Sequence, residues 1–537
     1  MPNVTIFGST PAGVIAAVAA SRYGGANVTL LDPSPRVGGM CSGGLGVTDQ
    51  GDTFAIGGLA REFFIRNARY YNATAEAPLF KLEPHVAELI FLQMLSEANV
   101  TRVSVAAVAR VEFSGTRVSS LLFEDGGRFA ITGVIVDASY EAQVVVGAAG
   151  ALPKPFMTFG REAASVYNES WGGRREPFGF PFDSRPISPL AADGSLLPLI
   201  TTRVSAPLGS GDARVQGYNF RLCAVRKGDN PHWAPMPDPP PGTYNASEWE
   251  LLRRFAALPG IASVDAFVSC GAVPNGKLDC NNGCLVSTDA TGLSWDFPTA
   301  NATRRAEIIA AHKAYTIAFF YTLRTDPAMP PAVRASAQNL GLCGDEFASN
   351  SNWPEQLYVR EAARLVGDRV LVQSDLWPAT DFKEASIGMG SYAADGHYSS
   401  RGPCVLQPAG APHHCVMVTS EAELQAARAN GSLCTGGEGY VGDVNTFSLY
   451  QIPAWVLFPK RAGATNLLSP TAPSASHVTF ASLRVEPQYM VMGHAAGDIA
   501  ALAAASGGAV QDVPLPVLHG RLRGEGAVLC HATWPNC

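Results

Sequence analysis

One segment limits the fold of this chain more than any other. Val4-Thr5-Ile6-Phe7 is a short, β-branched apolar run that stops at Gly8-Ser9-Thr10-Pro11-Ala12-Gly13. An Ala-rich stretch, Val14–Ala20, follows and ends near Gly24-Gly25; Val28-Thr29-Leu30-Leu31 is a second apolar run, closed by Asp32. This order predicts strand, tight turn, helix and parallel strand, the unit that holds a dinucleotide at the helix N-terminus. Gly8 permits the turn, Gly13 permits close helix–strand packing, and the free N–H groups of the helix start attract a pyrophosphate. Asp32 stands where a carboxylate can accept hydrogen bonds from ribose hydroxyls. Thr10 occupies the second glycine position of the G-x-G-x-x-G pattern, a departure that leaves the register of strand, helix and acid intact. Gly8, Thr10, Pro11, Ala12, Gly13 and Asp32 are the first candidate cofactor contacts.

The next glycines indicate which dinucleotide. Arg36-Val37-Gly38-Gly39-Met40-Cys41-Ser42-Gly43-Gly44-Leu45-Gly46 places five glycines directly after the second strand. A nicotinamide domain has no evident use for them. In flavoproteins of the glutathione-reductase type such glycines let backbone approach the ribityl chain and flavin. Arg36, Gly38, Gly39, Met40, Gly43 and Gly44 therefore join the candidate contacts, and FAD is favoured over NAD. Cys41 reads as a small packing residue. Val134–Ala138 is a buried strand whose acid, Asp137, is another feature of such domains, and a meander over Thr101–Phe113 and Arg117–Phe123 precedes it. Near the other end, Glu486–Ala505 predicts a helix bearing Gly493 and Gly497. Its N-terminal dipole would favour the negative charge of a reduced flavin, which adds Arg484, Glu486 and Gly493 to the candidates.

Length and charge narrow the class further. The chain has 537 residues, a net charge of −7 and 16% charged residues. That supports large folded cores and argues against a nucleic-acid footprint, which needs a basic face. No apolar run reaches the roughly 18 residues that span a bilayer. The expected class is α/β: a Rossmann-like FAD-binding domain of glutathione-reductase type, formed by residues 1–160 and 461–537, with an inserted α+β substrate domain over 161–460. Helices are expected at Ala306–Leu323 and Pro354–Val366. Residues 402–439, with three cysteines and His413-His414, read as a surface insertion stapled by disulfides rather than a zinc site.

The cysteines and sequons bear on compartment. Cys280/Cys284, Cys404/Cys415 and Cys530/Cys537 are close neighbours that could form local disulfides. Asn-x-Ser/Thr sequons occur at Asn3, Asn27, Asn72, Asn99, Asn168, Asn245, Asn301 and Asn430, more than chance supplies. Asn3 and Asn27 fall in or beside strands expected to be buried, where glycan would not reach. No signal peptide precedes Asn3, so secretory and cytoplasmic locations stay about equally expected.

Further motifs carry a resemblance: IGGLAREFF at Ile56–Phe64, EPHVAE at Glu83–Glu88, VDASYE at Val136–Glu141, FGRE at Phe159–Glu162, YNFRLC at Tyr218–Cys223, PNGKLDCNNG at Pro274–Gly283, LYVREAA at Leu357–Ala363, DGH at Asp395–His397 and SHVTFASLRVEPQYM at Ser476–Met490. With GSTPAG and RVGGMCSGGLG they make the sequence similar, over nearly its whole length, to an FAD-dependent oxidoreductase family whose bacterial members are often labelled xanthan lyases. The resemblance implies a glutathione-reductase-like fold, with the FAD domain built from both chain ends, and no particular substrate.

Flavin chemistry on a substrate C–H needs a nearby proton acceptor. His477 and His397 are the candidate bases. Tyr358 with Arg360, expected on one helix, and Asn219 with Arg221, expected on one strand face, could orient an anionic or hydroxylated small molecule; Asn281 and Asn282 fit a polar clamp. The leading expectation is an FAD-dependent oxidoreductase that takes hydride from a small polar or carbohydrate-like substrate and is reoxidised by oxygen or another acceptor. The alternatives are a lyase or isomerase using FAD without net redox, and a non-catalytic flavin-binding protein. No metal is expected, and no second dinucleotide motif supports an NAD(P)H domain.

Overall fold

The structure is a computed structural model that describes all residues except 75–76, 153, 178–183, 377–379, 409–410, 412, 443–448 and 531–537. It divides into two compact units. The first holds Met1–Phe159, Glu361–Asp395 and Gly442–Cys537; the second holds Gly160–Arg360 and Gly396–Val441.

The first unit is organised by a five-stranded parallel sheet. Its strands are β1 (Asn3–Phe7), β2 (Asn27–Asp32), β3 (Thr101–Ser104), β4 (Val134–Asp137) and β5 (Leu467–Leu468), in the order β5-β4-β1-β2-β3. Phe7 pairs with Leu31 on one side and Asp137 on the other, so Asp32 and Asp137 stand at the carboxyl edge of the sheet, beside the turn that begins at Gly8. Helix α1 (Pro11–Arg22) follows that turn. Thr10 caps it, accepting from the Gly13 N–H at 3.3 Å, and Pro11 occupies its first turn, where no N–H is needed. Its residues from Pro11 to Ala20 are all buried.

Helix α2 (Glu486–Ser506) lies on α1 at backbone contact distance. A Cβ at Gly493 would sit 2.4 Å from the Ala12 carbonyl oxygen, and one at Gly497 would sit 2.3 Å from that of Ala16. Small residues at four-residue spacing on α2 are what allow this approach. The antiparallel meander runs through Val108–Ser114, Arg117–Phe123 and Arg128–Ala130. Among the described residues no helix is long and apolar enough to cross a membrane.

The second unit contains an antiparallel five-stranded sheet in the order Trp233–Ala234, Leu340–Cys343, Leu222–Arg226, Lys277–Asn282, Val268–Val273, and the long helix Ala302–Thr325. A further sheet combines Cys415–Met417, Ser400–Leu406, Leu433–Glu438 and Ser184–Arg185.

Four expectations are corrected here. Pro354–Val366 is not a helix: Tyr358 forms an isolated bridge with Asn219, and Arg364–Leu365 is a short strand. Buried partners for Arg360 and Arg364 outweigh local helix propensity. The cysteines pair by strand register rather than by closeness in sequence. The disulfides are Cys223–Cys343, Cys270–Cys280 and Cys404–Cys434; Cys270 stands opposite Cys280, and Cys404 opposite Cys434. Cys530 is disulfide-bonded, and its expected partner Cys537 lies outside the described residues. Residues 402–439 are no surface insertion, since their strands carry the fully buried Cys404, Cys415, Met417 and Cys434. Asn3 and Asn27 are exposed, because each opens its strand at the rim of the sheet.

Candidate functional site

The first unit carries the candidate cofactor residues. Gly8 has φ of +94°, and a Cβ on Gly13 would lie 2.0 Å from the Gly8 carbonyl oxygen, so the turn closes only with glycine at both positions. The Thr10 hydroxyl, besides capping α1, donates to the Ala138 carbonyl at 2.6 Å and so ties the turn to the end of β4. Gly38, at φ +105°, and Gly39, at +47°, pack against Phe91 and Tyr140 with no room for a side chain. Gly43 and Gly44 are buried beside them.

A hydrogen-bonded chain links this glycine segment to the start of α2. The Met40 N–H donates to the Tyr140 hydroxyl at 2.9 Å, which donates to Glu486 Oε1 at 2.6 Å. Glu486 opens α2 and is buried, and burial pushes its carboxyl up to about 8. Cys41 is buried nearby, and desolvation lifts its thiol well above the ordinary range, which makes it inert packing. Arg484, just before α2, donates to the Asp395 carbonyl and pairs with its carboxylate at 2.9 Å.

Three further candidates differ in how much of their hydrogen-bonding capacity the protein uses. Asp137 is consumed. One oxygen accepts from the Ser139 N–H and hydroxyl, and the other from the N–H groups of Val144 and Val145. It caps the helix Gln143–Ala148, with its carboxyl raised to about 6 by burial. This corrects its assignment as a direct cofactor contact, because four donors fill the four lone-pair sites of a carboxylate. Arg36 forms an ion pair with Glu88 at 2.8 Å. Asp32 keeps capacity in reserve: Oδ1 accepts from the Ser34 N–H, while Oδ2 is buried without a hydrogen bond, 3.5 Å from Arg102.

That reserve provides a fit test for FAD. Buried polar atoms without partners cost about 1–3 kcal/mol each, so a fold keeps them where a ligand completes them. In this unit Glu486 Oε2 and both amide atoms of Gln488, in the first turn of α2, are such atoms, and Asp32 Oδ2, at the end of β2, has the Arg102 ion pair but no hydrogen bond. A carboxylate acceptor for ribose hydroxyls, glycine backbone at the α1 start and polar groups at the α2 start are what a flavin dinucleotide needs. Gln488 had no sequence signal beyond lying in a helix start.

The second unit gathers the substrate candidates. His397 Nδ1 lies 2.7 Å from Asp289 Oδ2, and Arg360 lies 2.9 Å from Asp289 Oδ1. Arg360 also donates to the Gly217 carbonyl and to Asn281 Oδ1 at 3.1 Å. The Asn219 amide donates to the same Asn281 oxygen at 2.9 Å and to Thr288 Oγ1 at 3.2 Å, leaving Asn219 Oδ1 buried and unpartnered. Tyr358 presents its ring 4.8 Å from the Arg360 guanidinium. Arg221 forms a bidentate pair with Asp279 and is thereby engaged in structure. Burial opposes charge on Asp289, yet Arg360 and His397 outweigh it and hold the carboxyl below its usual range. Asp289 was missed by the sequence analysis, because nothing local marks Ser-Thr-Asp-Ala-Thr as a site.

His477 falls in the first unit. Its Nδ1 lies 3.0 Å from Glu361 Oε1, and Glu361 pairs with Arg364, which donates to the Ala475 carbonyl at 3.1 Å. This set pins the loop before His477 to the 361–364 segment.

The family model of FAD dependent oxidoreductases matches residues 3–522. The chain belongs to this family. It is an FAD-dependent oxidoreductase, with FAD as its cofactor and a Rossmann-type α/β fold. Among solved structures, it is similar to Thermovibrio ammonificans THI4 at 18% identity, covering 31% of this chain and 70% of that one with a TM-score of 0.24. It is also similar to Lactococcus lactis thioredoxin reductase, at 18% identity, 26% and 35% coverage and a TM-score of 0.18. A third is the myxobacterial chondrochloren halogenase CndH, at 14% identity, 30% and 41% coverage and a TM-score of 0.23. A search of curated proteins finds no match.

Proposed function

We propose that this oxidoreductase removes hydride and a proton from a hydroxyl-bearing carbon of a small polar or carbohydrate-like substrate. The observation that carries the reading is the Asp289–His397 pair with Arg360 and Asn219 around it. A carboxylate can only accept, so when the His397 imidazole is neutral Asp289 holds its proton on Nδ1, which makes Nε2 the basic nitrogen. His397 then takes the hydroxyl proton as the carbon becomes a carbonyl. FAD, when bound, would supply the two-electron acceptor for such an oxidation, with oxygen or another acceptor as the final oxidant. The residues to hold it are the glycine turns at Gly8–Gly13 and Gly38–Gly44, Asp32 for the ribose, and Glu486 with Gln488 at the start of α2. Arg360 supplies positive charge, and the unpartnered Asn219 oxygen an acceptor for a further substrate hydroxyl. His477, locked by Glu361 and Arg364, positions its loop.

The test is anaerobic mixing of the holoenzyme with polyols, sugars and hydroxy acids. Bleaching of the flavin absorbance by such a substrate supports the reading. Turnover without bleaching assigns the family's lyase-type alternative and overturns it.

A further inference from the structure

The eight sequon asparagines share a property that all but one of the other described asparagines lack. Asn3, Asn27, Asn72, Asn99, Asn168, Asn245, Asn301 and Asn430 are all exposed. Among the other described asparagines only Asn275 is exposed: Asn67, Asn219, Asn230 and Asn466 are buried, and Asn281, Asn282, Asn339, Asn350 and Asn352 are half-buried. Exposure thus follows the Ser or Thr two residues downstream rather than asparagine itself.

We propose that the chain is N-glycosylated at these positions and folds in an oxidising secretory lumen. In the modification, asparagine Nδ2 bonds to C1 of an oligosaccharide. The C1–O bond to a polyisoprenyl pyrophosphate donor breaks, the pyrophosphate leaves, and one amide proton goes to a base.

Local geometry accommodates the change. Asn301 caps the helix Ala302–Thr325 through Oδ1, which accepts the Arg304 N–H at 2.9 Å. Asn245 Oδ1 accepts from the N–H and hydroxyl of its sequon Ser247, and Asn430 Oδ1 does the same with Ser432. Glycosylation consumes one Nδ2 hydrogen and leaves these oxygens in place. Asn72, Asn99 and Asn168 end helices at φ of +60°, +52° and +55°. Such a cap requires only asparagine or glycine and has no need of the downstream hydroxyl residue. The disulfides Cys223–Cys343 and Cys270–Cys280 are an independent sign of an oxidising compartment.

One pair constrains the pattern. Asn3 and Asn27 face each other across β1 and β2, with Asn27 Nδ2 3.3 Å from Asn3 Oδ1, so two oligosaccharides cannot stand there together.

Forced secretion would glycosylate any exposed sequon, so the decisive sample is the full chain immunopurified from its own cells. Treatment with peptide N-glycosidase in heavy-oxygen water converts each occupied asparagine to a labelled aspartate that peptide mass spectrometry reads. Label at most of the eight sites, faster electrophoretic migration after the enzyme, and occupancies at Asn3 and Asn27 that together do not exceed one per chain are expected. Label at fewer than half of the sites, or unchanged migration, overturns the proposal. Asn275, exposed but outside any sequon, is the internal negative control.

Discussion

His397 Nδ1 sits 2.7 Å from Oδ2 of Asp289, a residue 108 positions earlier in the chain, and both are buried. In the proposed function this pair is a base held in one tautomer by its acid, and the consequences are separable from those of cofactor binding.

Asp289→Asn keeps the side-chain volume but removes the charge, and an amide can present a donor to Nδ1 and reverse the tautomer. The expected result is FAD content unchanged and kcat reduced about 100-fold or more, in the range general bases contribute. His397→Asn should match it, and the double variant should lose little beyond either single change. A clearly additive double variant would show that the two residues act separately.

Asp32→Ala tests the cofactor cradle from the opposite end. It removes an acceptor whose Oδ2 has the Arg102 ion pair but no hydrogen bond within the protein. A hydrogen bond to a charged group contributes about 1.5–3 kcal/mol, so the FAD Kd should rise about 10- to 100-fold. Flavin fluorescence titration of the apoprotein measures it, and an unchanged Kd removes Asp32 from the site.

How much of this was legible depends on the range of the constraint. Gly8, Gly13, Gly38 and Gly39 could be read because each answers a backbone demand made by its nearest neighbours. Asp289 could not, since its meaning comes from Arg360 and His397, which the topology delivers from later segments. Pro354–Val366 misled for the same reason: its residues favour a helix locally, while burying Arg360 and Arg364 against distant partners requires extended chain. Cysteine spacing suggested Cys280 with Cys284, yet strand register places Cys270 opposite Cys280 and leaves the Cys284 thiol donating to the Val286 carbonyl at 3.0 Å. Asp137 had the right position for a cofactor acid, but Ser139 and the start of the next helix use all its lone pairs.

Gly493→Ala places a methyl 2.4 Å from the Ala12 carbonyl oxygen, a backbone atom that cannot rotate away. Helices α1 and α2 must separate slightly, at a cost of about 1–3 kcal/mol typical of overpacking. Thermal unfolding should show the loss, accompanied by weaker FAD retention because α1 carries the Gly8–Gly13 turn. Wild-type stability in this variant would contradict the backbone-contact packing.

Cys223–Cys343 closes a loop of 120 residues within the second unit. By loop entropy, replacing both cysteines with serine should cost about 4–5 kcal/mol. The second unit should then be cut by protease at concentrations that leave the wild type whole. Equal protease resistance would mean that the sheet, with Leu222–Arg226 paired to Leu340–Cys343, holds the loop without the bond.

Glu486 predicts a pH dependence whose sign follows from burial. Its carboxyl sits at about 8 in the fold, chiefly through desolvation that the Tyr140 hydrogen bond only partly offsets, against 4.5 ordinarily. Between those values the folded chain holds a proton that the unfolded chain has released. Rising pH therefore favours unfolding, and the contribution is complete below about 4.5 and gone above about 8. At about 1.4 kcal/mol per pH unit, it amounts to about 4–5 kcal/mol across the window. Glu486→Gln stays neutral at every pH and still accepts from Tyr140. Thermal melts of the apoprotein at pH 5 to 8 should thus show wild type losing Tm steadily relative to the variant, with the two closest at pH 5. Parallel curves would mean that Glu486 is ionised in the fold, and that its unpartnered oxygen has a counter-charge in solution.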